Sequence, residues 1–201
     1  MRQVAAEAGV EIVTGDTKVV NRGHGDGVYI NTSGVGFIPA GRRLGGQYIE
    51  PGDKVLVSGT LGDHGITIMS CLEQLSFQAD LQSDAAPLNQ LIEEVLSAAP
   101  GTRCFRDPTR GGLASTLNEL AEQSGVDMIV EEDAVPVKGA VRGACEMLGY
   151  DVFQVANEGK MVAVVPAAQA DAALAAMRAN KYGSDADRKS TRLNSSHWLT
   201  S

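Results

Sequence analysis

Apolar and polar positions change period several times along the chain, and the changes mark out elements. Met1 to Gly9 has helical spacing and reads as the end of a helix. Glu11-Ile12-Val13 is an expected strand, continued by Thr17 to Val20 after a kink at Gly15-Asp16. Asn21 to Gly27 is a glycine-rich polar loop. Val28 to Thr32 and Val35 to Ile38 alternate around Ser33-Gly34, the pattern of a hairpin. Gly41 to Gly52 is a polar connector. The pattern therefore sets 1–47 as the end of one domain and 48–183 as a second.

In the second domain, Lys54 to Ser58 is a short apolar strand, and Gly59 to Gly65 a glycine-rich turn. Ile66 to Leu75 is an expected helix. Leu88, Leu91, Ile92, Val95 and Leu96 mark the next, with Pro87 near its start. Leu113, Leu117, Leu120 and Ala121 share one face of a third, which Gly125 stops. Met128 to Val130 is a strand, and Pro136 starts a helix carrying Val137, Val141, Ala144 and Leu148. Met161 to Val165 is a strand, and Ala167 to Ala179 an alanine-rich helix. Strands alternating with helices, partly as a hairpin, predict an α+β or α/β fold with helices on one side of a sheet. No repeat of domain-building length occurs. Residues 184–201 are polar and aperiodic and hold the only tryptophan, Trp198. They are set outside the fold as a non-native or disordered tail.

Composition narrows the class. The 201 residues are 43% hydrophobic but only 4% aromatic, so the core is aliphatic. A net charge of −8 argues against non-specific nucleic-acid or anionic-membrane binding. Any phosphate must be held locally. No apolar run reaches membrane-spanning length, and no signal-peptide pattern is present. Cys71, Cys104 and Cys145 are odd in number and form no CxxC pair. That usage fits free thiols in a reducing cytoplasm rather than zinc or a disulfide framework. Cys71 and Cys145 occupy apolar helix positions and are expected in the core.

Four stretches can carry chemistry. In Arg106-Asp107-Pro108-Thr109-Arg110-Gly111-Gly112 a turn leads into a helix start. Paired glycines and free N–H groups there can hold an anion beside two arginines; the alternative is a tight turn needing glycine for close packing. In Thr14-Gly15-Asp16-Thr17-Lys18 a carboxylate at a strand kink can meet Mg²⁺, or form a surface pair with Lys18. His24, between glycines, is an acid–base candidate or a surface loop residue. Glu158, in Asn157-Glu158-Gly159-Lys160, is a general base if partly desolvated, or a solvated turn acid. His64 and Asp63 read as a helix-start turn with Asp63 a possible cap.

Taken together, Ala8 to Val20, Arg106 to Ala114 and Ala156 to Lys160 resemble the HypE family of hydrogenase maturation proteins. These carbamoyl dehydratases belong to the superfamily of aminoimidazole ribonucleotide synthetase, selenophosphate synthetase and thiamine-monophosphate kinase. The resemblance implies a C-terminal α/β-sandwich domain plus the last strands of an N-terminal ATP-binding domain, dimeric when complete. It implies ATP and Mg²⁺ as cofactors. Asp16, Thr17, Asp107, Thr109, Arg110, Gly111, Gly112 and Asn157 are the implied nucleotide contacts, with Asp16 also on the metal. Lys18, His24 and Glu158 are the implied catalytic residues. In the family, a C-terminal cysteine carbamoylated by HypF is dehydrated to a thiocyanate, and the cyano group passes to iron on a HypC–HypD complex.

The family ends in Pro-Arg-Ile-Cys, whereas no cysteine follows Cys145 here. The polypeptide is accordingly expected to be inactive by itself, and Cys104 is not a substitute thiol. Two other readings stay open: an ATP-dependent small-molecule kinase of the same superfamily, and a non-catalytic docking module for HypF or HypC–HypD.

Overall fold

The computed structural model describes residues 1–25, 27–72, 82–187 and 191–195. The chain divides into two compact units, Met1–Arg42 and Arg43–Ser201.

The first unit opens with α1 (Arg2–Ala8), closed by Gly9 in the left-handed region at φ 67°. No strand follows among the described residues of this unit. The expected strands at 11–13, 17–20, 28–32 and 35–38 are therefore corrected. Their apolar side chains are exposed, Val35 at 96% and Phe37 at 98%. A strand exists by bonding to a neighbouring strand and burying one face, and neither condition is met here.

The second unit is an α+β fold. Its helices and strands, in chain order, are β1 (Lys54–Val57), α2 (Asp63–Leu72), α3 (Asn89–Ala98), β2 (Cys104–Arg106) and α4 (Gly112–Ser124). Then come β3 (Val126–Val130), α5 (Gly139–Leu148), β4 (Val162–Val165), α6 (Ala170–Ala179) and β5 (Thr191–Ser195). β4 lies between β1 and β2 and is antiparallel to both. Every residue of β4 is buried, so both faces of the sheet must be covered. Val55, Val57, Val162 and Val164 face Leu113, Leu117 and Leu120 of α4. Leu56, Ala163 and Val165 face Leu91 and Val95 of α3 and Ala173 and Met177 of α6. This two-residue alternation corrects the expectation of helices on one side only. A third cluster packs Ile66 of α2 on Val141, Ala144 and Cys145 of α5, with Val152 and Val155.

Smaller differences have local causes. α5 begins at Gly139, not Pro136, because the Pro136 carbonyl accepts a hydrogen bond from the Leu61 amide. Residues 73–75 of the expected second helix lie outside the described residues, as do His197 and Trp198. Cys145 is buried as expected, but Cys71 is exposed. The segment set aside as a tail also enters the fold in part. Asp187 bridges Val57, and β5 pairs antiparallel with β3. An unpaired strand edge such as that of Val126–Val130 accepts any extended backbone, whatever its sequence.

Candidate functional site

Register decides which turns meet. Val57 and Arg106 both stand opposite Val162. The turn leaving β1 (58–65), the turn leaving β2 (107–112) and the segment entering β4 (152–161) therefore gather at one end of the sheet. Ser58 ties two of them directly: its amide donates to the Met161 carbonyl at 3.0 Å, and the Met161 amide donates to Ser58 Oγ at 2.9 Å.

Asn157 joins all three. It is 1% exposed. Its Oδ1 accepts from the Gly62 amide at 2.7 Å, and its Nδ2 donates to the carbonyls of Pro108 (3.0 Å) and Val155 (2.9 Å). Its own amide donates to Pro108 and its carbonyl accepts from Thr109 Oγ1 at 2.9 Å. Both ends of the side-chain amide are engaged by buried backbone, which makes Asn157 the knot of the site.

Gly112 shows why this knot needs glycine. Its φ is +62°, and a Cβ there would overlap the Phe153 carbonyl oxygen and lie 2.7 Å from that of Val155. Close backbone packing thus explains Gly112. Gly111, at φ 67°, is the N-cap of α4. No side chain caps this end and no acid lies in its first turn. An uncapped helix start with a left-handed residue before it is suited to an anion. Of the two expected arginines, Arg106 is engaged: Nη2 bonds Glu119 Oε2 at 2.7 Å, which raises its pKa, and Nη1 lies 3.8 Å from Asp107 Oδ1. Arg110 is exposed beside Gly111.

Glu158 follows the knot and is half-buried. Asp63 is the first residue of α2 and is 1% exposed. Its Oδ2 accepts from Thr60 Oγ1 at 2.6 Å and pairs with Lys138 Nζ at 2.9 Å. His64 Nδ1 lies 2.8 Å from Ser83 Oγ. Sequence reasoning gave neither Gly62 nor Lys138 a part in the site; the glycine-rich turn was the only signal for the first. Cys104 is inert as a nucleophile, since burial pushes its thiol up to about 11.

Asp16, Thr17, Lys18 and His24 lie in the first unit, all exposed. Asp16 Oδ1 accepts from the Thr17 amide at 2.7 Å. The rest of that carboxylate is open to solvent. That fits Mg²⁺, which takes one or two carboxylates together with phosphate oxygens. Among the described residues, no group of three or more His, Cys, Asp or Glu could hold a metal without such help.

A helix-covered antiparallel sheet with three turns knotted at one end defines the class. The family described as AIR synthase related protein, C-terminal domain, matches residues 50–186, and the chain belongs to it. Within that family the particular likeness is to HypE. Carbamoyl dehydratase HypE of Azotobacter vinelandii is 55% identical over 186 residues, 92% of this chain and 54% of that protein. A crystal structure of HypE in complex with ATP matches with a TM-score of 0.91 at 47% identity, covering 96% of this chain and 57% of that one. The structure of a HypE–HypF complex matches with a TM-score of 0.88 at 41% identity, covering 98% and 64%. The chain spans about half the length of the curated relatives it matches.

Proposed function

We propose that the complete protein is an ATP-dependent carbamoyl dehydratase of [NiFe]-hydrogenase maturation, converting an S-carbamoyl cysteine to a thiocyanate for the iron cyanide ligands. One observation carries the reading. Asn157, bonded to Pro108 and Thr109 of the turn that leads through the exposed Arg110 to the uncapped start of α4, is followed directly by the half-buried Glu158.

The chemistry follows from what such groups do. ATP with Mg²⁺ supplies the phosphoryl group that makes the carbamoyl oxygen a leaving group. Glu158 takes a proton from the carbamoyl nitrogen as the carbon–oxygen bond breaks. Arg110 and the free amides at the start of α4 offset charge on phosphate oxygens. Asp16 and Thr17 hold the metal and nucleotide, and Lys18 and His24 assist proton removal. Asp107 and Thr109, on the turn that carries Arg110, contact the nucleotide.

HypF is the proposed partner, supported by the HypE–HypF complex among the relatives. HypC–HypD as acceptor, a homodimeric state and a cytoplasmic site of action belong to the same proposal. No helix among the described residues is long and apolar enough to cross a membrane.

The test uses the complete gene product with a carbamoylated terminal cysteine. ATP-dependent appearance of a nitrile infrared band on that cysteine is expected. Phosphorylation of a free small molecule without a nitrile would contradict the reading and favour the kinase alternative. Partner binding without ATP turnover would favour a docking module.

A further inference from the structure

Glu158 is flanked by two locked positions. Asn157 holds the preceding side. On the following side, Gly159 has φ +59°, and a Cβ there would overlap the Asp84 carbonyl oxygen and lie 2.8 Å from the Ala86 amide. Lys160 comes next. Its Nζ is 2.7 Å from Asp84 Oδ2, and the two side chains are only 11% and 13% exposed. The Lys160 stem passes 3.0 Å from where a Cβ on Gly59 would sit. Apart from this ion pair neither Asp84 oxygen has a hydrogen-bond partner, so the lysine ammonium is what holds this carboxylate in place. One residue earlier, Ser83 is anchored on His64. The strand of chain through 83–86 therefore spans from the start of α2 to the Glu158 turn and closes against both.

We propose that Asp84 is a positioning residue for Glu158, acting through the Lys160 ammonium and the Gly159 backbone; this rests on the base role given to Glu158 above. A half-buried carboxylate on a turn is effective only if the turn is fixed, because a small displacement of a catalytic group costs about a hundredfold in rate.

The experiment uses the complete gene product. Asp84→Ala is expected to lower kcat for nitrile formation roughly 10- to 100-fold while KM for ATP stays within about twofold. In an Asp84→Ala, Lys160→Met variant no buried charge is left unpaired. A purely structural role predicts that this pair restores kcat; positioning predicts that kcat stays low. In a Glu158→Gln background, Asp84→Ala is expected to cause no further loss, since both act through one group. Recovery in the double variant, or full additivity with Glu158→Gln, would overturn the proposal. Hydrogen exchange of the 157–161 amides supplies a readout independent of activity. Asp84→Ala should speed it, and unchanged exchange would overturn the positioning role. Wild-type protein that forms no nitrile would instead remove the base reading, and the exchange comparison would still decide whether Asp84 fixes the turn.

Discussion

Residues 35–38 and residues 54–57 are both short, apolar-rich stretches with the look of strands, yet they end in opposite states. Val55 and Val57 are each 1% exposed, while Val35 and Phe37 are 96% and 98% exposed. The difference lies in what surrounds them. Lys54–Val57 is bonded along its length to Val162–Val165 and covered by helices on both faces. In the first unit no described residue is buried. A short apolar stretch thus states a capacity to form a strand; partner strand and covering layer turn it into one. The comparison places the stability of this chain in the second unit, and within it at the three-turn knot.

The sharpest way to break that view is Gly112→Ala. A left-handed backbone strained by a Cβ, with a carbonyl in its way, should cost roughly 3–5 kcal/mol. Urea unfolding would show this as a large drop in midpoint; an unchanged midpoint would remove the knot from the account. Asn157→Ala leaves the Gly62 amide and the carbonyls of Pro108 and Val155 without their partner. About 2–4 kcal/mol is expected, read from the same unfolding curve.

A milder change is Lys138→Met, which strips the buried Asp63 of its ion-pair partner. Lys138 is 54% exposed at its side chain, so solvent already screens the pair and about 1 kcal/mol is expected in thermal unfolding. The Cys104 thiol adds a pH dependence. Its folded-state value lies above the unfolded 9.0, at about 11. The folded state binds that proton more tightly, so this contribution is present below pH 9 and is lost as pH rises towards 11. Unfolding midpoints measured across that range should fall, and Cys104→Ser should flatten the fall. Smallest of all, Phe37→Ser should move the unfolding of this chain by less than about 0.5 kcal/mol. A loss well above that would mean Phe37 is covered, and the contrast between the units would fail.

Legibility followed the same divide. Elements whose burial is set by their own period could be read: Leu113, Leu117 and Leu120 give α4, Gly125 ends it at φ 66°, and the Val-rich runs give β1 and β4. Cys104–Arg106 could not be read, because three residues are too short to show a period. The continuous apolar run Val162–Val165 was in principle a sign of two covered faces. In the site, Asp107 to Gly112 and Asn157 to Lys160 were visible as motifs. What Asn157 does was not, since its amide meets Gly62, 95 positions away. Distant pairing also hid Asp84, whose partner Lys160 lies in the motif itself. Arg106 looked available to a ligand until Glu119, 13 positions later on α4, engaged it.

Glu158→Gln in the complete gene product, assayed for nitrile formation with nucleotide binding followed in parallel, tests the account most directly. The exchange keeps size and polarity but removes the base, so nitrile formation should fall at least about a hundredfold with nucleotide affinity unchanged. A variant that forms nitrile at the wild-type rate would contradict it.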